Sequence, residues 1–470
     1  MESMLAEREI VQRFLETKLQ VHPDVVSYIR EQNDPSLIDR IIAHVPSDTL
    51  VVSVQHIPGI KRVRDGTRFL VDPELEVIVG SPGTAGSVSG YEDAVHYFRD
   101  RYNKLSSMIR GRMTAMPVEA LVKSPHRYRD QECTITGMVV DLRTTAKGHR
   151  LVEVEDPTGT IQVLFNKGRD DSFSEAERIL PDEVIGVRGK LSGDGGLFFA
   201  EQLARPDIPL NHAPFRSDRP GKAVLISDIH VGSDTFLEAE WNRFADWLQD
   251  SDAGYLLIAG DLVDGIGIYP GQEHELTITN IYEQYDVFAA MLRDLPSRIR
   301  IVVAPGNHDV VRMAEPQPAL PPEFTDTFPS NCTTVENPCL LNLQGVRVLM
   351  YHGRSIDDMI GLIPGASYER PGEIMEEMLK RRLLAAPYGM RTPIAAMKTD
   401  RLVIDPLPEI IHTGHVHICG SVKYRGVLGL NTGTWQSQTA FQKQMNIHPT
   451  PARAFVVDLQ TLQPEMVNFS

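Results

Sequence analysis

Five short polar clusters in the second half of the chain carry side chains that bind divalent metals. They are Asp228-x-His230, Gly260-Asp261, Gly306-Asn307-His308-Asp309, His352-Gly353 and Gly414-His415-Val416-His417, and each comes just after an apolar run. Imidazoles, carboxylates and one carboxamide, with no thiolate needed, suit borderline ions such as Mn²⁺, Fe²⁺ or Zn²⁺. A single Asp or His at the end of a strand is ordinarily structural. Five such clusters within residues 228–417 point to a metal cage instead.

The apolar runs are what must hold that cage. Val224-Leu225-Ile226 and Tyr255-Leu256-Leu257-Ile258 have the continuous apolar character of strands buried on both faces, and residues 299–303, 346–350 and 409–411 supply the later strands. Between the first two, Trp241, Phe244, Trp247 and Leu248 recur at helical spacing, a core-packing pattern. Alternating strands and helices predict an open α/β sheet. Such sheets place ligands at the carboxyl ends of their strands, where the clusters fall.

Together the clusters resemble the full motif set of the calcineurin-like metallophosphoesterases. The stretches 228–236, 264–273, 314–319, 351–358 and 433–438 further resemble the small-subunit family of archaeal family D DNA polymerases. That resemblance implies a four-layer αββα metallophosphoesterase sandwich and two divalent ions, Mn²⁺ foremost, with Fe²⁺, Zn²⁺ and Mg²⁺ as alternatives. One ion would take Asp228, His230, His417 and Asp261; the second would share Asp261 and take Asn307, His352 and His415. His308 would be the catalytic imidazole that binds no metal, with Asp309 as its orienting partner, and Arg354 and Ser355 would reach a substrate phosphate.

The activity so implied is two-metal 3′→5′ exonuclease proofreading on single-stranded or mismatched DNA 3′ ends. The chain would then be the small subunit of a heterodimeric replicative polymerase, with a large catalytic subunit, DNA and the sliding clamp as partners. Two rivals compete with this. A non-catalytic scaffold for the large subunit belongs to a class that typically loses cage residues, and none is lost here. A phosphatase on the same fold would have no use for a strand-holding module upstream.

Such a module is predicted over residues 128–210, as an OB-fold β-barrel. Three strand-like runs, a helical stretch over 174–179 and two more strands follow that fold's order, with a hairpin around Asp156-Pro157-Thr158-Gly159. Arg143, Lys147, His149 and Arg150 are expected in its first hairpin loop, where OB barrels grip single strands. A barrel kept for packing or subunit docking is the alternative. Residues 1–79 predict a small helical module, on the periodicity of Ile10, Val11, Phe14, Leu15 and Leu19, that docks a partner or packs on a neighbour. Residues 80–90 predict a flexible linker. Residues 91–127 predict a connecting helix on which Arg99, Arg101, Lys104, Arg110 and Arg112 form a solvated face. The resemblance implies that residues 211–470 form the calcineurin-like phosphoesterase (exonuclease) domain.

A chain of 470 residues has room for two to four domains. Its net charge of −16 excludes a surface broadly sticky to nucleic acid, though not a cleft whose bound cations reverse the local sign. With no apolar run long enough for a membrane and an acidic first segment, a soluble cytoplasmic protein without a membrane partner is expected. Cys133, Cys332, Cys339 and Cys419 are scattered and predict reduced thiols. Asp264 fits equally a partner to a metal ligand or a turn carboxylate, while His274 reads as a surface histidine. Residues 316–322 read as a stiff surface connection, and the tail after Gln436, with Phe441 and Met445, as a region for the large subunit.

Overall fold

The computed structural model describes residues 7–17, 19–32, 34, 36–45, 51–52, 56–57, 60–62, 69–71, 73–83, 90–129 and 131–470. Near the N-terminus, α1 (Glu7–Glu16), α2 (Pro23–Gln32) and α3 (Ser36–His44) close on a core of their own that buries Ile10, Phe14, Val25, Ile29, Ile38 and Ile41. The strands β1 (Gln20–Val21) and β2 (Val51–Val52) pair in parallel, and β3 (Ile60–Arg62) pairs with β4 (Phe69–Val71).

The boundary expected at residue 79 does not hold. Here β5 (Leu75–Val79) forms the edge of a sheet in the large domain, because Leu75 and Val77 alternate with Glu76 and offer that sheet one apolar side. The expected linker is anchored at its start, where the Gly80 carbonyl accepts from the Glu336 amide at 2.8 Å. Its residues 84–89 lie outside the described residues.

The chain continues through α4 (Gly90–Arg110) and α5 (Val118–Lys123) into a barrel. Its elements are β6 (Glu132–Thr144), β7 (Arg150–Asp156), β8 (Gly159–Phe165), α6 (Asp170–Glu177), β9 (Val184–Leu191) and β10 (Phe198–Ala204). The strands close in the order β10-β8-β7-β6-β9 around Val139, Val152, Val163, Phe165 and Phe198. This is the expected OB-fold. Its first hairpin is longer than predicted: Arg143 lies within β6 opposite Leu151, Arg150 opens β7, and only residues 145–149, with Lys147 exposed, make the turn.

The large domain begins with β11 (Lys222–Ile226), α7 (Glu238–Asp250), β12 (Tyr255–Ala259), α8 (Ile281–Arg293), β13 (Arg300–Ala304), α9 (Pro322–Thr325) and β14 (Cys332–Thr334). Then come β15 (Cys339–Leu343), β16 (Val346–Met350), α10 (Ile356–Leu362), α11 (Pro371–Arg381), β17 (Ile410–Thr413), β18 (Gly420–Tyr424) and β19 (Val427–Asn431). The chain ends with α12 (Ala440–Gln444), β20 (Arg453–Asp458) and β21 (Gln463–Asn468). Two six-stranded sheets result, ordered β14-β13-β12-β11-β20-β21 and β18-β19-β17-β16-β15-β5.

The sheets face each other. Ala223, Leu225, Leu257 and Val302 of the first pack on Leu341, Val348 and Leu430 of the second. The alternate residues Val224, Ile226 and Leu256 pack outward on Trp241, Phe244 and Phe288 of α7 and α8, as a strand period of two requires. The outer face of the second sheet is covered by α11, whose Met375 packs on Gly429 of β19, while α4 is covered by β6 and β9 of the barrel, with Ile109 against Gly186.

That covering corrects the reading of α4 as a solvated basic helix. Tyr97, Arg101, Leu105 and Ile109, at four-residue steps, make its buried face. Arg101 is wholly buried and donates to Asp400 Oδ2 at 2.6 Å, Tyr97 Oη at 2.5 Å and the carbonyls of Asp182, Ala385 and Ala386. A second buried seam ties the barrel to the large domain: Arg381 of α11 pairs with Glu183 ahead of β9 and with Glu377, and Arg205 after β10 pairs with Glu175 and Glu183. All four cysteines are free thiols, and among the described residues no helix is long and apolar enough to cross a membrane.

Candidate metal centre

The carboxyl ends of β11, β12 and β13 in the first sheet meet those of β16 and β17 in the second. Asp228, His230 and His417 bring ligand atoms within 4.8 Å of one another, and Asp261, His352 and His415 do the same; each group draws on both sheets. Asp261 lies between the groups, with Oδ2 3.7 Å from His230 Nε2 and 3.3 Å from His352 Nε2. Asn307 joins the second group through Oδ1, 3.0 Å from His352 Nε2. His308 also approaches His230 and Asp261 within ligand range, so proximity alone does not set it apart from the metal-binding positions.

The backbone is bent to make this possible. Asp228, His230, Asp261, His415 and His417 all take left-handed conformations, with φ between 51° and 69°. Each costs on the order of 1 kcal/mol for a residue with a Cβ, and such residues gather where function demands them. Two glycines are fixed by close approach. A Cβ on Gly306 would come 2.2 Å from Asp261 Oδ1, and one on Gly414 would come 2.5 Å from Asp228 Oδ2.

Each imidazole but one has a nitrogen committed to an acceptor. His230 Nδ1 faces Asp264 Oδ1 at 3.0 Å, His352 Nδ1 the Ala259 carbonyl at 2.8 Å, and His415 Nε2 faces Asp357 Oδ2 at 3.1 Å. A carboxylate or carbonyl only accepts, so those nitrogens carry the protons and the opposite nitrogens are left for a metal. His417 is the exception, with Nδ1 2.8 Å from the Gln442 amide nitrogen. Asp264 thus stands behind His230, one of the candidate ligands.

A cation fits what these residues present. Asp228 and Asp261 are buried, and among the described residues their ion pairs are with histidines. Burial pushes the Asp261 carboxyl up, but His352 and His308 beside it outweigh burial and hold it well below the usual range. Burial likewise disfavours the His352 cation, yet Asp261 raises that imidazole to about 10. In the metal-free chain a proton on His352 therefore supplies positive charge that an ion would supply instead.

Two expectations fail at the rim. Asp309 does not orient His308: Oδ2 accepts from the Gly306 and Leu262 amides and Oδ1 from Tyr285 Oη at 2.8 Å. His308 Nδ1 bonds instead to the Asp264 carbonyl at 2.7 Å. Ser355 is buried and donates to the Leu384 carbonyl at 2.5 Å, which turns it away from any phosphate; Arg354 Nη1 lies 3.4 Å from the Met313 carbonyl. Arg143 and Lys147 lie on the first hairpin of the barrel, where they were expected.

The proline-rich segment is no surface connection at its start. Gln317 is buried, donates to the Gly306 carbonyl at 2.9 Å and accepts from Asn337, whose Oδ1 in turn accepts from the His352 amide. Glu315 is buried as well, and burial raises its carboxyl to about 7 even though Tyr351 Oη donates to it. A raised carboxyl favours the folded state while protonated. Its contribution is full below the ordinary carboxylate range and is lost as pH rises through about 7. The melting temperature should therefore fall more steeply between about pH 4.5 and pH 7 in the native chain than in Glu315→Gln, a difference that totals about 3 kcal/mol across that window. Parallel melting curves for the two would overturn that assignment.

Sequence reasoning missed Asp357, Gln442, Tyr285 and Gln436. Gln436 donates to Asp264 Oδ1 at 3.0 Å, yet nothing in its spacing marks it. Asp357 had a signal, since it lies five residues beyond His352 at the first turn of a helix. His274 is exposed, as expected.

An OB-fold barrel joined to an α/β domain with these strand-end clusters defines a class, and comparisons with known proteins divide the chain in the same way. Residues 223–418 match the family model for the B subunits of DNA polymerases alpha and epsilon, and residues 133–200 that for the OB-fold nucleic acid binding domain. The chain is 44% identical over 438 residues to the DNA polymerase II small subunit of Halobacterium salinarum, covering 92% of this chain and 84% of that one. For the Archaeoglobus fulgidus small subunit the identity is 42% over 394 residues, covering 81% and 78%. For that of Methanothermobacter thermautotrophicus it is 38% over 472 residues, covering 94% and 96%. The chain belongs to the family of archaeal DNA polymerase II small subunits.

Proposed function

We propose that this chain carries the 3′→5′ exonuclease of a two-subunit replicative polymerase, on a metallophosphoesterase sandwich. One observation supports this above the rest: donors from five strand ends on two sheets converge in two groups, with Asp261 within reach of imidazoles from both. A pure scaffold needs none of them. Asp228, His230, His417 and Asp261 would hold one divalent ion, with Mn²⁺ the first choice, and Asp261, Asn307, His352 and His415 the other. Bound there, the ions would polarise the phosphodiester and make water acidic enough to attack.

The protein groups position and protonate. His308, with Nδ1 committed to the Asp264 carbonyl, keeps Nε2 for the leaving group. Water oxygen bonds to phosphorus and gives up a proton to solvent, the bond from phosphorus to the 3′-oxygen breaks, that oxygen takes the proton from His308 Nε2, and solvent returns a proton to the imidazole. The products are a 5′-mononucleotide and a strand one residue shorter with a free 3′-hydroxyl. The OB barrel, with Arg143 and Lys147 exposed on its first hairpin, would guide the single strand. The large subunit, which supplies synthesis, and the sliding clamp complete the assembly, in the cytoplasm.

The test uses the two-subunit complex on 5′-labelled DNA with a mismatched 3′ end. A ladder shortening from the 3′ end, dependent on Mn²⁺, is expected. His308→Ala should lower kcat by about 10² to 10⁴ while Mn²⁺ binding persists. Metal-dependent dephosphorylation of phosphopeptides in preference to DNA would replace this reading with a phosphatase.

A further inference from the structure

Beside His308 lies an aromatic side chain that neither the core nor the metal ligands use. The rings of Tyr269 and His308 have centroids 6.5 Å apart and planes inclined by 66°. Tyr269 donates its hydroxyl to Glu275 Oε2 at 2.9 Å, yet 36% of the residue stays open to solvent. Three residues earlier on the same loop, Ile266 is 44% exposed. Tyr269 thus offers an exposed ring beside the imidazole, with a second exposed apolar group on the same loop.

Their place is held from below. Gly265 has φ of 76°, and a Cβ there would come 2.4 Å from the His308 carbonyl, so the loop is seated directly on the turn that carries the imidazole. Buried Gln272 accepts from the Ile268 amide and donates to Asp264 at both its carbonyl and its carboxylate, at 2.8 and 3.0 Å. The residue that orients His230 and His308 therefore also fixes the loop under Tyr269. Tyr282, by contrast, is exposed but already stacked on Phe324 with centroids 5.0 Å apart.

Charge selects what Tyr269 can take. The carboxylates of Glu275, Asp264 and Asp234 all act on its hydroxyl. They disfavour a phosphate at that end and leave the uncharged ring as the usable surface. Aromatic rings take nucleobases face-on with little regard to sequence.

Resting on the exonuclease reading, we propose that Tyr269 forms a stacking shelf for the nucleobase on the leaving-group side of the scissile phosphodiester. The base that binds there is that of the penultimate nucleotide, whose 3′-oxygen His308 protonates. A base within a duplex has both faces covered by its neighbours. Only a frayed or single-stranded end can offer one, so the shelf would favour ends that have lost pairing.

The experiment compares native complex with Tyr269→Ala and Tyr269→Phe on three substrates. These are a single-stranded oligonucleotide, the same strand with an abasic penultimate residue, and the p-nitrophenyl ester of thymidine 5′-monophosphate, which lacks that nucleotide. The ratio of kcat/KM on the oligonucleotide to that on the ester should fall by roughly 5- to 100-fold in Tyr269→Ala, mainly through KM. Tyr269→Phe should restore most of it, and the abasic strand should show little difference among the three proteins. An equal loss on the ester, or on the abasic strand, overturns the shelf. Absence of hydrolysis of all three substrates by the native complex overturns the exonuclease reading instead. The shelf then rests on 2-aminopurine at the penultimate position: quenching on binding that persists in Tyr269→Ala overturns it.

Discussion

In the Asp261→Ala variant, hydrolysis of DNA 3′ ends should fall at least about 100-fold. Loss of a group that merely orients a ligand costs about 10- to 100-fold in metal affinity or activity. Asp261 is placed closer to the chemistry, because one carboxylate oxygen lies within 4 Å of imidazoles from both groups. Its other oxygen accepts from the His308 amide at 2.8 Å, so the same substitution loosens the turn that carries the imidazole. Titration with Mn²⁺ should show weaker binding at both positions, not one. Assembly with the large subunit should persist, since Asp261 is buried and forms no surface. Native nuclease rates in this variant would sink the assigned centre, whatever its effect on stability.

Arg101→Met should be the most damaging substitution away from the metal centre. The guanidinium and the Asp400 carboxylate are both fully buried, and removing one leaves the other charge without its partner, a loss of about 3–5 kcal/mol. For a domain of this size the melting temperature should fall by about 10 °C. The damage should not be local, because Arg101 also donates to carbonyls at Asp182, ahead of β9 in the barrel, and at Ala385 and Ala386 in the large domain. Hydrogen exchange should therefore rise on both sides of α4. Adding Asp400→Leu should recover much of the loss, since no buried charge then remains unpaired. A melting temperature unchanged in Arg101→Met would show that apolar packing alone holds the joint.

Both predictions concern buried charge, and they differ in how far the sequence exposed it. Asp261 was legible because its type, its glycine neighbour and its apolar run all pointed to a strand end. Arg101 was misread because basic residues on a helix usually face water. Yet Tyr97, Leu105 and Ile109 at four-residue steps on either side placed it on the apolar stripe. Giving helical phase more weight than charge would have found it.

From the sequence alone came the OB-fold barrel and the strands whose ends carry the clustered Asp, Asn and His side chains, because each rests on a local rule: a period, a turn, a motif at a strand end. The family also followed from short stretches of residues. Tertiary structure alone decided which groups stand behind those side chains. Gln442, Asp357 and Gln436 reach the imidazoles or Asp264 only once α12, α10 and the segment after β19 have packed. It also decided that His308 leans on the Asp264 carbonyl and not on its neighbour Asp309. A backbone carbonyl has no signature in sequence. Adjacency along the chain says little about direction where the backbone turns as sharply as it does here.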